Sequence, residues 1–418
     1  MVQSRSIYVY MDWQENNLPV PMGILHSEVL RGKEVFSFEY DPDWIYCKQF
    51  QALDPDLLQF KGKQYMSADK LNFGIFLDSS PDRWGRMLMR RRESVIARSE
   101  NRNTRTLTES DYLLGVYDGN RMGALRFKLS PNGEFMDNNQ VMATPPLTSL
   151  RDLEYASLQL DKEDLKDDAD YVKWLNILIA PGSSLGGARP KASVADNDGS
   201  LWIAKFPSGS DTKNVGAWEA VVAQMAIKCG IEMSTCCAQK FNSDRHTFLT
   251  KRFDRIGSKR IHFASAMTLL GYTDGYDAAE GVSYLELVEW IEQNCMDVAH
   301  NLEQLWRRIV FNIAVSNCDD HLRNHGFFLT DKGWTLSPAY DINPDEYGTG
   351  LKLNISEDDN SLDFYLALSV ADYFGLTPTR AHEILNQVKH CVSEWQQFAT
   401  TQGITRSEQE YVAKAFRY

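Results

Sequence analysis

Near Phe263 the hydrophobic period of this 418-residue chain changes, and the change limits the folds open to it. Ahead of that point apolar residues alternate in short runs, as in Ile7–Met11, Glu34–Tyr40 and Gly123–Leu129, the period-two pattern of half-buried strands. Beyond it, Val282–Met296, Leu302–Val315, Thr379–Phe398 and Ser407–Phe416 place apolar residues on one helical face. Strands gathered ahead of helices predict an α+β fold with a β-rich N-terminal part and an all-helical C-terminal lobe.

One helix interrupts the first part. Pro81–Glu93 follows Ser80 as a cap, begins with proline and carries apolar residues at helical spacing. Arg83, Arg86, Arg90, Arg91 and Arg92 make it locally basic, so its face either pairs with nearby acids or docks a partner or nucleic acid. A stretch rich in Pro, Asn, Thr and Ser at Asn132–Leu150, then the acidic Asp152–Asp170, reads as a connection between domains. A second β-rich stretch follows, with Gly182–Val194, Leu201–Pro207 and Thr247–Phe253 around the helical pattern Ala217–Cys229. The expected segments are therefore 1–145, 146–262 and 263–418.

The net charge of −13 disfavours attraction to nucleic acid or an anionic membrane through the average field, so any such contact is local or made through a partner. Seven scattered cysteines without a C-x-x-C pair indicate neither a disulfide framework nor a thiolate zinc site. No apolar run approaches the roughly 18 residues of a membrane span, and the N-terminus does not read as a signal peptide. A cytoplasmic protein without membrane contact is expected.

Three constellations carry chemistry. Pro181–Lys191 holds Ser183, Ser184, Gly186 and Gly187 with Arg189 and Lys191 as counter-charges, a backbone able to approach a polyphosphate closely. Its spacing is neither Walker A nor G-x-G-x-x-G, and a hairpin turn would look the same. Lys205 stands inside the apolar run Leu201–Pro207, where an ammonium needs an anion, with Glu219 on the next helix as candidate, or else snorkels from a strand edge. Asn317–Asn324 places Asp319 and Asn324 at the D-x-x-x-x-N spacing of a kinase catalytic loop, and Asp341 ends a later apolar run where a kinase holds a second magnesium ligand. Asp320 does not fit that spacing. His321 and His325, four apart beside acids, leave a metal-dependent hydrolase using Asp319 open as well. The Gly/Ser loop, strand lysine, helix glutamate and acids nevertheless occur in kinase order.

With those residues in view, nearly the whole chain resembles the HipA family of bacterial serine/threonine kinases, toxins of type II toxin–antitoxin modules. The resemblance lies in Ser184–Lys191, Trp202–Pro207, Lys251–Arg255, Asn317–Asn324 and Tyr340–Ile342, with Ser80–Arg86 similar to a motif of the family's N-terminal subdomain. It implies a two-lobed kinase-like fold and dependence on ATP and Mg2+. By the same resemblance Asp319 is the catalytic base and Asn324 and Asp341 the metal ligands. Ser184, Gly186, Gly187, Lys191, Lys205, Glu219 and Lys251 are the implied ATP-binding residues.

Ser184 falls where the family autophosphorylates, with Ser183 adjacent, and the added charge would repel nucleotide from the loop. A HipB-like helix-turn-helix antitoxin is the implied partner, with operator DNA reached through it. The implied substrate is a protein of the translation machinery, an aminoacyl-tRNA synthetase among them, with growth arrest and persistence as the consequence. A corepressor that keeps the fold and the antitoxin contact without chemistry is the rival reading. Asp341-Ile342-Asn343 departs from the D-F-G of many kinases, so their activation-loop rules do not carry over.

Overall fold

A computed structural model describes residues 4–12, 18–47, 51–67, 69–138, 144–160, 171, 174–175, 178 and 189–418. The chain forms two compact units, Met1–Gly209 with Asp254–Ala264, and Ser210–Phe253 with Ser265–Tyr418.

The first unit is built on a five-stranded antiparallel sheet in the order Lys63–Tyr65, Lys33–Tyr40, Val20–Leu30, Ser4–Met11 and Leu125–Lys128. Alternation in Ile7, Val9 and Met11 buries one face of the Ser4–Met11 strand. Phe38, Phe73, Phe76 and Phe127 pack beneath it, largely edge to face. Val20–Leu30 was not legible as a strand because Pro21, Gly23 and His26 interrupt its apolar pattern.

The arginine-rich helix runs over Arg83–Ser99, later than its proline suggests. Asp82, not Ser80, is the cap, its carboxylate accepting from the Gly85 N–H at 2.8 Å, while the Ser80 hydroxyl donates to the Phe76 carbonyl. Much of its charge is spent locally. Arg86 forks onto Glu109 at 2.6 and 2.7 Å and lies over the Tyr112 ring, and Arg91 donates to the Leu160 carbonyl. The connection expected from the acidic composition after Leu150 is instead helical over Leu150–Leu160. Leu150, Leu153, Ala156 and Leu160 share a buried face there, and that spacing outweighs the acids. A further pair of strands, Lys191–Ala195 and Leu201–Lys205, is antiparallel, with Lys191 opposite Lys205.

The second unit is organised around the Val298–Val315 helix, buried on nearly every face. The Arg307 guanidinium reaches the Cys229 carbonyl at 2.7 Å and the Gln387 side chain at 2.8 Å, and the Trp306 indole donates to the Ala367 carbonyl. The Val215–Lys228 helix lies so close to the His246–Lys251 strand that a Cβ on Gly216 would come within 2.2 Å of the His246 carbonyl oxygen. Trp395 stacks on Phe416 at 4.4 Å beside Trp218, closing the C-terminal helices over the core.

The part after Phe263 is mainly helical, but not wholly. Gly326–Thr330 and Gly333–Leu336 form a hairpin that the all-helical expectation missed, since a five-residue apolar run does not distinguish strand from buried helix. Among the described residues no helix is long and apolar enough to cross a membrane.

Candidate active site

The central helix of the second unit ends in Ser316, which adopts a left-handed conformation with φ of 50°. The chain turns there into Asn317–Asn324. Asn317 is buried and joins three segments: its side-chain amide nitrogen donates to the Asn312 Oδ1 at 3.1 Å, and its side-chain Oδ1 accepts from the Asn343 backbone N–H at 3.2 Å. A short turn over Leu322–Asn324 follows, closed by Asn324 N–H to the His321 carbonyl at 2.8 Å.

Ahead of Leu322, within Asn317–Asn324, the two adjacent acids part company. Asp319 is exposed, whereas Asp320 is buried and accepts from the Tyr284 hydroxyl and the Asn312 amide, with the His325 Nε2 at 2.8 Å. Burial alone would raise the Asp320 carboxyl. The adjacent His325 imidazole and the Tyr284 hydrogen bond outweigh it and hold the group below its ordinary value. Asp320 is thus the anchor of the turn, and Asp319 is the acid presented to solvent.

The segment bearing Asp341 is laced to the same turn on both sides. The Tyr340 hydroxyl donates to the Arg323 carbonyl at 2.7 Å, and Asn343 is bonded to Asn317. Asp341 itself has φ of 58°, a left-handed conformation that an aspartate adopts at local cost. His321 lies amid the group. Burial and Arg323 lower its imidazole, while Asp319, Asp341 and Asp320 each pull it upward, which places all three carboxylates within electrostatic reach of one ring.

Magnesium is bound through oxygen. The Asn324 amide nitrogen donates to the Asp319 carbonyl at 2.8 Å, leaving its Oδ1 buried with no hydrogen-bond partner. The Asn343 Oδ1 is buried and unpartnered in the same way. The Asn343 amide nitrogen lies 3.4 Å from the Asp341 carboxylate, and orphaned amide oxygens of this kind suit a hard cation. Sequence spacing pointed to Asn324 and Asp341; Asn343 was missed, its only signal being its place two residues after Asp341. Among the described residues no group of three His, Cys, Asp or Glu is arranged to hold a metal.

The other sequence candidates are placed as follows. Glu219 is buried on the Val215–Lys228 helix of the second unit, and Lys251 ends the His246–Lys251 strand there. Lys205 is buried at the end of its strand in the first unit. Lys191, also in the first unit, is buried with its ammonium 2.8 Å from the Asp82 carboxylate, and its carbonyl accepts from the Trp84 indole. Ser184, Gly186 and Gly187, with Ser183, lie outside the described residues.

The turn and the fold define a kinase-like α+β protein. Residues 183–395, just over half of the chain, match the HipA-like C-terminal domain family, and the chain belongs to that family. Over its length it is similar to a chain of the Shewanella oneidensis MR-1 toxin–antitoxin complex of HipA, HipB and operator DNA. That match has a TM-score of 0.66 at 17% identity and covers 98% of this chain and 94% of that one. A match to the Helicobacter pylori proinflammatory kinase CtkA covers 55% of this chain and 91% of that one, at 14% identity and a TM-score of 0.38, and carries no weight here. A Sinorhizobium fredii protein bearing the name of a kinase, Y4mE, is 24% identical over 181 residues. These span 38% of this chain and 41% of the relative's length.

Proposed function

We propose that the chain is an ATP- and magnesium-dependent protein serine/threonine kinase, a HipA-like toxin. The turn that carries Asp319 and Asn324, with the Asp341 segment bonded to it through Tyr340 and Asn343, is the observation that carries the reading. In it the acceptor hydroxyl attacks the γ-phosphorus as Asp319 takes its proton, the bond from the γ-phosphorus to the β-bridging oxygen breaks, and ADP leaves. Asn324, Asp341 and Asn343 would hold magnesium, which neutralises phosphate charge when bound. Lys205, Glu219 and Lys251 are each assigned to nucleotide binding in this reading. Lys191 is assigned chiefly to its Asp82 pair.

The chain in this reading divides into 1–145, 146–262 and 263–418, and Ser184 in the Gly/Ser loop is the autophosphorylation site. The partner in this reading is a HipB-like helix-turn-helix antitoxin that carries the complex to operator DNA, supported by the similarity to the Shewanella oneidensis complex of HipA, HipB and operator DNA. The substrate is a protein of the translation machinery, an aminoacyl-tRNA synthetase being the class to assay first. Thermal unfolding checks the site. MgATP at a hundredfold its dissociation constant is expected to stabilise the protein by about 2.7 kcal/mol, zinc alone to do nothing, and Asp341→Asn to remove most of the MgATP effect. Stabilisation by zinc with indifference to ATP would instead favour a hydrolase built on His321 and His325.

A further inference from the structure

Beside Asp319 a cavity of about 200 Å3 opens within the second unit. Met267 and Leu322 give it an apolar floor, His321 and Arg323 line it from the catalytic turn, and Asp274 and Tyr276 wall it from the loop that follows Gly271. Its volume lies below the roughly 300–1,000 Å3 of pockets that enclose a cofactor-sized ligand, while about 150 Å3 is enough for a benzene-sized group. It is therefore too small for a nucleotide and large enough for one side chain.

The wall is fixed in place. Asp274 is ion-paired with Arg323, Asp277 with Lys352 at 3.2 Å, and the Tyr272 hydroxyl donates to Glu286 at 2.7 Å while its ring lies 5.3 Å from that of Tyr276. Those pairs decide the charge of the cavity. Arg323 and Lys352 are each matched by a loop carboxylate, whereas no ion pair reaches Asp319 among the described residues. One carboxylate is left in excess, next to the half-exposed ring of Tyr276, a combination that favours a cation.

Resting on the kinase reading above, we infer that this cavity seats the side chain flanking the phosphoacceptor hydroxyl of a protein substrate, and that its excess carboxylate and the Tyr276 ring make it select lysine or arginine there, Asp274 keeping Arg323 matched. The pocket lies beside the base, so a residue seated in it brings the neighbouring hydroxyl to Asp319.

The test uses the full chain, MgATP and two peptide libraries, one with a central serine and one with a central threonine. Lys, Arg, Glu, Leu and Phe are scanned at each flanking position, and labelling of the protein's own chain is read beside them. The native protein is expected to prefer Lys or Arg at one flanking position by about tenfold. Asp274→Asn and Tyr276→Ala are each expected to raise KM for the preferred peptide at least fivefold with little change in kcat. Melting with and without MgATP shows that each variant is folded. Peptide transfer without a basic preference, or a preference intact in both variants, would overturn the cavity's role, as would labelling of the protein's own chain but of no peptide. No transfer to any acceptor would overturn the kinase reading and the cavity's role with it.

Discussion

Asp320 is the acid that the D-x-x-x-x-N spacing passes over, yet the turn is built on it. Removing its carboxylate in Asp320→Ala strands the Tyr284 hydroxyl, the Asn312 amide and the His325 ring in a buried site. A loss of about 3–5 kcal/mol in urea unfolding is expected, the cost of breaking a buried charged contact from one side. His262 offers a test by pH. Burial pushes its imidazole down to about 3, whereas in the unfolded chain it titrates near 6.5. Between those values the unfolded chain holds the extra proton, so stability falls as pH drops from about 6.5 towards 3, by at most about 1.4 kcal/mol per pH unit from this group. His262→Leu is expected to flatten that part of the stability profile, and an unchanged slope would assign it to other groups. Asp319 and Asn324 were legible because five residues of one turn fix their spacing. Asp320 and Asn343 were not, because their roles depend on Tyr284, Asn312 and Asn317, which the fold brings in from elsewhere in the chain.

Within the first unit the Arg83–Ser99 helix and the Lys191–Ala195 strand meet through the buried charge pair of Asp82 with Lys191 and the Trp84 indole bond to the Lys191 carbonyl. Asp82 also caps the helix, and asparagine caps as well as aspartate, so Asp82→Asn removes the charge that faces the buried ammonium and keeps the cap. Asp82→Asn and Lys191→Met are each expected to destabilise by about 3–5 kcal/mol, and the double variant by clearly less than their sum. Denaturant unfolding of the four proteins, without nucleotide, measures the coupling. Additive losses would return Lys191 to the phosphate role that its sequence position suggests. The helices after Phe263 were legible because each buries a stripe at a 3.6-residue period, although the expected Thr379–Phe398 stretch divides into Pro378–Ser393 and Trp395–Thr401. The Leu150–Leu160 helix was obscured by its acidic composition, and the hairpin at Gly326–Leu336 by its shortness. Local pattern fixes an element only when it is long enough to show a period.

Over the whole molecule, membership of the HipA-like family and a fold shared with the Shewanella oneidensis structure at 17% identity agree with the order of motifs along the chain. That order was legible because phosphoryl transfer draws its lysine, base and metal ligands from successive elements. The cavity beside Asp319 was not, since its walls come from Met267, from the loop after Gly271 and from the catalytic turn, and only folding sets them side by side. The account makes this array a phosphoryl-transfer centre, and intact mass after incubation with ATP and magnesium tests that most directly. The expected result is a gain of phosphate, mapped to Ser184, in the native protein and none in Asp319→Asn. Phosphate gained equally by both proteins, or by neither while MgATP still binds, would contradict it.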